Sequence, residues 1–207
     1  MKKKIYFFDF DGTLTSADTL LAFIRYACGT RRFLLGFALF SPLLVLMKLR
    51  LYPNYRAKER LFAWFFRGMK IDDFDDVCTR FAHHSQRLFR LRALDKLREA
   101  FHYGETVCVV SASIDNWVRP FFDNLVKGSR SEFHVIGTQV ATGTDGCLTG
   151  LFSVPNCYGA EKVRRINQLM PDIGEHRSDY QVIAYGDSRG DREMLDWADE
   201  AHYRPFV

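Results

Sequence analysis

Ile5-Tyr6-Phe7-Phe8-Asp9-Phe10-Asp11-Gly12-Thr13 is the stretch from which the rest of the chain is read. Residues 5–8 are β-branched or aromatic with no polar alternation, the pattern of a strand covered on both faces in a parallel sheet. The strand stops at two carboxylates and a glycine. Residues two apart at a strand end project to the same side, which brings Asp9 and Asp11 together. Outward from this segment the pattern recurs. Residues 106–110 read as a second buried strand ending at Ser111-Ala112-Ser113. Residues 182–185 read as another, ending at Gly186-Asp187-Ser188-Arg189-Gly190-Asp191. Residues 133–139 form a further strand, and Asp145-Gly146 between short β-like pieces marks a hairpin turn. Helical patterns cover 19–27, with Ser16 or Asp18 as the cap, then 54–97, 116–125, 159–169 and 191–197. Strands alternating with helices predict an α/β fold, a doubly wound, Rossmann-like parallel sheet. Ligands of such sheets bind beyond the carboxyl ends of the strands, and three of those ends carry polar signatures here.

Two carboxylates on one side of a strand end can divide a reaction, one attacking phosphorus and the other donating and later accepting a proton. A carboxylate approaching a phosphate is repelled, so cations must be supplied. Asp187 and Asp191 can complete an oxygen-rich site for magnesium, a hard cation. Lys162, near the start of a helix, adds a positive charge. Ser111 and the backbone N–H groups around it and Gly12 can cradle phosphate oxygens. Each element alone has an ordinary reading as a turn, a helix cap or a solvated lysine. Four of them in this order, three at strand ends, argue for a site.

Residues 5–15 resemble the first signature of the haloacid dehalogenase superfamily. Val107-Cys108-Val109-Val110-Ser111-Ala112 is similar to the second, Lys162 to the third and Gly186–Asp191 to the fourth. Residues 145–150 and 156–162 resemble the phosphoserine-phosphatase-like branch. The resemblance implies a magnesium-dependent phosphomonoester hydrolase with Asp9 as nucleophile and Asp11 as general acid and base. It gives phosphate binding to Gly12, Ser111 and Ala112, and charge stabilisation to Lys162. It implies Mg2+ between the Asp9 carboxylate, the Asp11 carbonyl and the Asp187 carboxylate, with Asp191 in support. Asp at position 11 favours a phosphatase over a dehalogenase. Asp18 lies near the place where phosphoserine phosphatases read the substrate amine; a glycerol hydroxyl and simple helix capping are the alternatives.

The family inserts a cap between its first two signatures. The long interval after Asp9 therefore makes 15–92 a mostly helical cap, with 1–14 and 93–207 as the core. Within the cap, 33–47 carries no charge and is interrupted by Pro42, with Arg31 and Arg32 before it and Lys48 and Arg50 after it. An interfacial anchor over 33–51 ranks first, a buried cap segment second and a spanning helix third, the run being short for a span. The apolar cap resembles that of phosphatidylglycerophosphatase C-like members, which implies a lipid phosphate substrate. A soluble, phosphoserine-like substrate is the alternative, with a phosphotransferase and a non-catalytic membrane-binding module behind it. Arg56, Lys58 and Arg60 form a basic cluster whose default is a solvated helix face, and His83-His84 diverge on a helix rather than share a metal.

Net charge is +4, an excess too small to argue nucleic-acid binding. The cysteines, Cys28, Cys78, Cys108, Cys147 and Cys157, are odd in number and form no CxxC pair. That suits a reducing cytoplasm, at the inner face of the membrane if the anchor holds. Nothing in the sequence specifies an oligomer.

Overall fold

The computed structural model describes residues 2–49 and 51–207, so Arg50 of the basic flank lies outside the described residues. β1 (Lys3–Phe8) is buried over its last four residues, as its lack of alternation predicts. It pairs in parallel with β2 (Thr106–Ile114) on one side and β6 (Tyr180–Gly186) on the other. β3 (Phe133–Thr138) and β7 (Glu200–Tyr203) complete a parallel sheet in the order β3-β2-β1-β6-β7. Side chains alternate between two apolar layers. Tyr6, Phe8, Val107, Val109 and Tyr185 face one, and Ile5, Phe7, Cys108, Val110, Val182 and Ala184 face the other. Both faces are thus covered, the doubly wound arrangement. The register Phe8↔Val109 and Phe8↔Tyr185 brings the three polar strand ends to one edge.

Helices α1 (Thr19–Lys48), α2 (Asn54–Phe66) and α3 (Ile71–His84) are inserted after β1, and α4 (Leu91–His102) leads into β2. The chain leaves and returns at one crossing: Arg90 N–H donates to Leu14 O at 2.9 Å and Ser16 N–H to Leu88 O at 2.8 Å. Short turns α5 (Asp115–Val118) and α6 (Asp123–Val126) follow β2, where the sequence predicts one helix. β4 (Val140–Thr142) and β5 (Leu148–Phe152) form the expected hairpin. α7 (Ala160–Leu169), α8 (Pro171–Glu175) and α9 (Arg192–Trp197) complete the second face.

The hairpin docks on the insert. Gly68 N–H donates to Leu148 O and Leu148 N–H to Met69 O, both at 2.8 Å, and Phe152 N–H donates to Glu59 Oε1 at 2.9 Å. A Cβ on Gly150 would run into Ala63, which fixes how closely α2 lies.

Four findings differ from the sequence reading. The helical pattern over 54–97 resolves into three helices, broken at Gly68 and again over 85–90, and β7 has no counterpart in the reading. β2 continues through Ser111–Ser113 instead of ending before them. The 19–27 helix continues as α1 to Lys48, with a break at Gly29, whose φ of 76° favours glycine. Before the break, Phe23 and Ile24 are fully buried. After it, Gly36 is the buried residue, packed against Phe65 and Trp64, while Leu34, Leu35, Leu39 and Val45 are exposed. The 33–47 run is therefore helical, with Phe33, Phe37 and Phe40 packed against the core and Leu34, Leu35 and Leu39 left exposed.

Candidate active site

Asp9 N–H donates to Tyr185 O at 2.9 Å, extending the β1–β6 ladder by one residue and fixing where the Asp9 carboxylate stands. Lys162, at the start of α7, is 1% exposed, and its Nζ donates to Asp9 Oδ1, Asp191 Oδ1 and Val110 O, each at 2.6 Å. All three ammonium donors are used, the condition under which a buried lysine stays charged. Burial alone would lower its pKa; Asp9 and Asp191 outweigh burial and hold it above its ordinary value. Asp191 is held below its ordinary value because Lys162 and Ser188 outweigh burial. Burial lifts Asp9 to about 7 against the pull of Lys162.

Asp191 is a scaffold for the loop after β6. Its Oδ2 accepts from Ser188 Oγ at 2.7 Å, Ser188 N–H at 2.9 Å and Asp187 N–H at 3.2 Å. This capping geometry turns Asp187 towards Asp9. Gly12 has φ 84°, and a Cβ there would overlap the Asp187 carboxylate, so glycine lets the loop after β1 pass alongside.

Asp11 is held by residues that the sequence reading missed. Its Oδ1 accepts from Thr19 N–H at 2.7 Å, and its Oδ2 accepts from Ser113 Oγ. Trp117 Nε1–H donates to Thr19 Oγ1 at 3.2 Å, and Thr19 Oγ1 lies 3.4 Å from Ser113 Oγ. Buried donors thus converge on Asp11 from both β2 and the insert. Burial, then the Asp18 charge, raises its pKa. A Ser-x-Ser at the end of an apolar strand is the one sequence signal that points to Ser113. Arg90 Nε, donating to Gly12 O, and Arg204 Nε, donating to Asp187 O, both at 3.2 Å, were also unforeseen.

Ser111 is buried, and its Oγ accepts from Ser113 N–H at 3.0 Å, which leaves its own O–H to donate. Ala112 follows it, its carbonyl accepting from Thr138 Oγ1. Asp18 is exposed, and its Oδ1 accepts from Leu20 N–H at 3.0 Å and Leu21 N–H at 3.3 Å, the helix-capping alternative.

Carboxylate oxygens of Asp9, Asp187 and Asp191 lie within 4.8 Å of one another. With Asp11 near Asp9, four carboxylates gather at this edge, and Lys162 pairs with two of them. Burial and the neighbouring Asp191 raise Asp187 as well. Surplus negative charge, oxygen donors alone and a raised Asp9 fit a hard divalent cation. Lys162 and Ser188 already occupy Asp191, so Asp9 and Asp187 are the carboxylates with oxygen to offer.

Comparison with known proteins gives the family and the fold. A family described as haloacid dehalogenase-like hydrolase matches residues 6–196. Protein CicA of Caulobacter vibrioides is 32% identical over 203 residues, 96% of this chain and 85% of CicA. A protein of unknown function from Bordetella pertussis Tohama I superposes with a TM-score of 0.76 at 19% identity, over 96% of this chain and 88% of that one. An apo phosphoserine phosphatase gives 0.61 at 20% identity, over 95% and 84%. The two solved structures share the fold.

Proposed function

We propose, from the premise that the chain belongs to the haloacid dehalogenase-like hydrolases, that it is a phosphomonoesterase working through a phospho-aspartate at Asp9. The observation that carries this reading is the fork at Lys162, whose ammonium is shared by Asp9 Oδ1 and Asp191 Oδ1, while Asp9 Oδ2 accepts no hydrogen bond among the described residues. Asp9 Oδ2 attacks phosphorus; the P–O ester bond breaks as the new bond forms, and the departing oxygen takes the proton carried by Asp11. Water then attacks the phosphorus of the acyl phosphate and gives a proton to Asp11. Inorganic phosphate leaves and the Asp9 carboxylate returns. Ser111 O–H and backbone N–H groups around Ala112 and Gly12 hold the phosphate oxygens, and Lys162 offsets the charge that builds up. Mg2+, held by Asp9 and Asp187 with Asp191 behind them, would neutralise phosphate charge when bound. Residues 15–92 act as the cap and 1–14 with 93–207 as the core.

The test is release of phosphate from p-nitrophenyl phosphate with magnesium, its loss in chelator, and acid-quench trapping of a phosphoryl group on the Asp9 peptide. Full turnover in chelator, or a trapped group elsewhere, overturns the reading.

The finer reading is a lipid phosphate reached at a membrane surface. It rests on the half of α1 after Gly29, where exposed leucines are flanked by exposed Arg31 and Lys48. Arg32 instead stacks over Trp64 and donates to Phe65 O at 3.2 Å. By length and composition α1 could span a membrane, but α2 returns along it carrying Arg56, Lys58, Glu59 and Arg60. A helix lying in the headgroup layer accommodates those charges and a span does not. The protein should therefore bind anionic vesicles less strongly as salt rises, and hydrolyse phosphatidylglycerophosphate faster than phosphoserine. Indifference to vesicles at low salt, with a preference for phosphoserine, returns the substrate to the soluble class.

A further inference from the structure

A cleft apart from the candidate active site opens at the elbow of α1, between its half before Gly29, the end of α3 and the turn over 86–88. Its volume is about 470 Å³, in the range of small-ligand clefts, roughly 300–1,000 Å³. Arg25, Tyr26, Gly29, Thr30, His84 and Arg87 line it, and no carboxylate does. The rings of Tyr26 and His84, with centroids 5.3 Å apart, form one wall. His83 points elsewhere, to Asp123 at 3.5 Å, so His84 alone of the histidine pair joins the cleft. Arg25 and Arg87 are exposed and make no hydrogen bond or ion pair among the described residues. Guanidiniums only donate, so two of them without a carboxylate suit an anion with several acceptor oxygens, such as phosphate.

The cleft runs into the apolar face of α1. Thr30 lines it, and the exposed Leu34 stands one helical turn further along the same face. Leu35 and Leu39 carry that exposed face onward. Charge complementarity at the elbow and hydrocarbon beyond it follow the order of a phospholipid, phosphate first and acyl chains next. A soluble phosphate would use the arginines and leave the leucines uncovered.

We infer that the elbow cleft seats the phosphate of an anionic phospholipid, held by Arg25 and Arg87 as an anchor and not as the substrate. This rests on the membrane reading of α1 and adds to it a contact specific for the headgroup. Arg31 and Lys48 supply general attraction to a charged surface, whereas the cleft chooses among lipids. Phosphatidylcholine fits poorly, because its ammonium would meet the two arginines.

The experiment floats the full chain with vesicles of phosphatidylcholine, alone or mixed with phosphatidylglycerol, at low salt and at about 1 M salt, where surface attraction is screened within about 3 Å. At high salt the wild type should still favour the phosphatidylglycerol vesicles about tenfold. Arg25→Gln with Arg87→Gln should abolish that preference. Arg25→Lys with Arg87→Lys should keep only part of it, a point charge replacing a fork. Arg31→Gln with Lys48→Gln should weaken binding at low salt and leave the high-salt preference intact. Circular dichroism should show every variant folded, the substituted positions being exposed. A wild type without the high-salt preference, or a preference unmoved by Arg25→Gln with Arg87→Gln, overturns the inference and leaves the membrane reading standing. A wild type that ignores both vesicles at low salt removes both. If it does so while glycerophosphoglycerol raises its Tm, and not that of Arg25→Gln with Arg87→Gln, the occupant is a soluble phosphodiester and the lipid assignment falls.

Discussion

At the carboxyl edge of the sheet, Asp9, Lys162 and Asp191 lie under the surface with 6%, 1% and 1% of their area exposed. On the outer half of α1, Leu34, Leu35 and Leu39 stand 60%, 66% and 62% exposed. Ordinary burial is inverted in both regions, in opposite senses. The buried charges are tolerated because each finds its counter-charge inside the chain. The leucines find no cover inside the chain, so whatever covers them comes from outside. Substitutions in the two regions should therefore fail in different ways.

The largest effect should come from Asp9→Asn. It keeps the shape of the Lys162 fork and removes the nucleophile, so turnover should fall about a thousandfold or more while the fold survives. Steady-state kinetics beside circular dichroism would check this, and a folded, active Asn variant would break the assignment of chemistry to the buried region. Asp191→Ala should instead fail as a fold. It takes one of two counter-charges from a buried ammonium and unties the Asp187–Ser188 turn, a loss of about 3–5 kcal/mol for one partner of a buried pair, read by urea denaturation.

Replacing Leu34, Leu35 and Leu39 with Ser should do the reverse. Each exposed site should shift stability within about 0.5 kcal/mol, whereas vesicle co-sedimentation should be lost and hydrolysis of a soluble aryl phosphate retained. If the triple variant unfolds, the leucines are covered by this chain and the contrast collapses.

The smallest effect sharpens the buried side. Glu161, beside Lys162, pairs with Arg164 at 2.5 Å and Arg165 at 2.8 Å. The hydrogen bond from Arg164 leads the causes that lower its pKa to about 2. A carboxyl depressed on folding contributes stability above its unfolded value, lost as pH falls through its folded value. Glu161→Gln should thus cost about 1 kcal/mol near neutrality, and its stability curve should merge with that of the wild type as pH falls from about 4.5 towards 2.

The sheet and the buried fork were legible because their signals are local. An unalternating apolar run followed by Asp-x-Asp-Gly marks a strand end whatever packs on it, and Asp187 and Asp191 follow the same grammar. What held Asp11 was not legible. Thr19 and Ser113 are ordinary hydroxyl residues until folding brings positions 94 apart into contact. β7 was missed because Glu200-Ala201-His202-Tyr203 is a short edge strand with little apolar character. Asp18 illustrates the converse: an acidic residue before a helix serves capping and ligand binding equally well in sequence, and only the direction of its carboxylate separates them.

The β4–β5 hairpin clasp has a consequence for recombining parts. Gly150 lies against Ala63, and three main-chain bonds join 146–148 to 68–71. A foreign cap grafted between residues 14 and 93 would meet a hairpin shaped for another helix. The transferable unit is therefore discontinuous: 15–92 together with 139–153. Chimeras that exchange both segments should fold more readily than those that exchange the first alone, and the crossover points best placed for them are the Leu14–Arg90 crossing and the two ends of the hairpin.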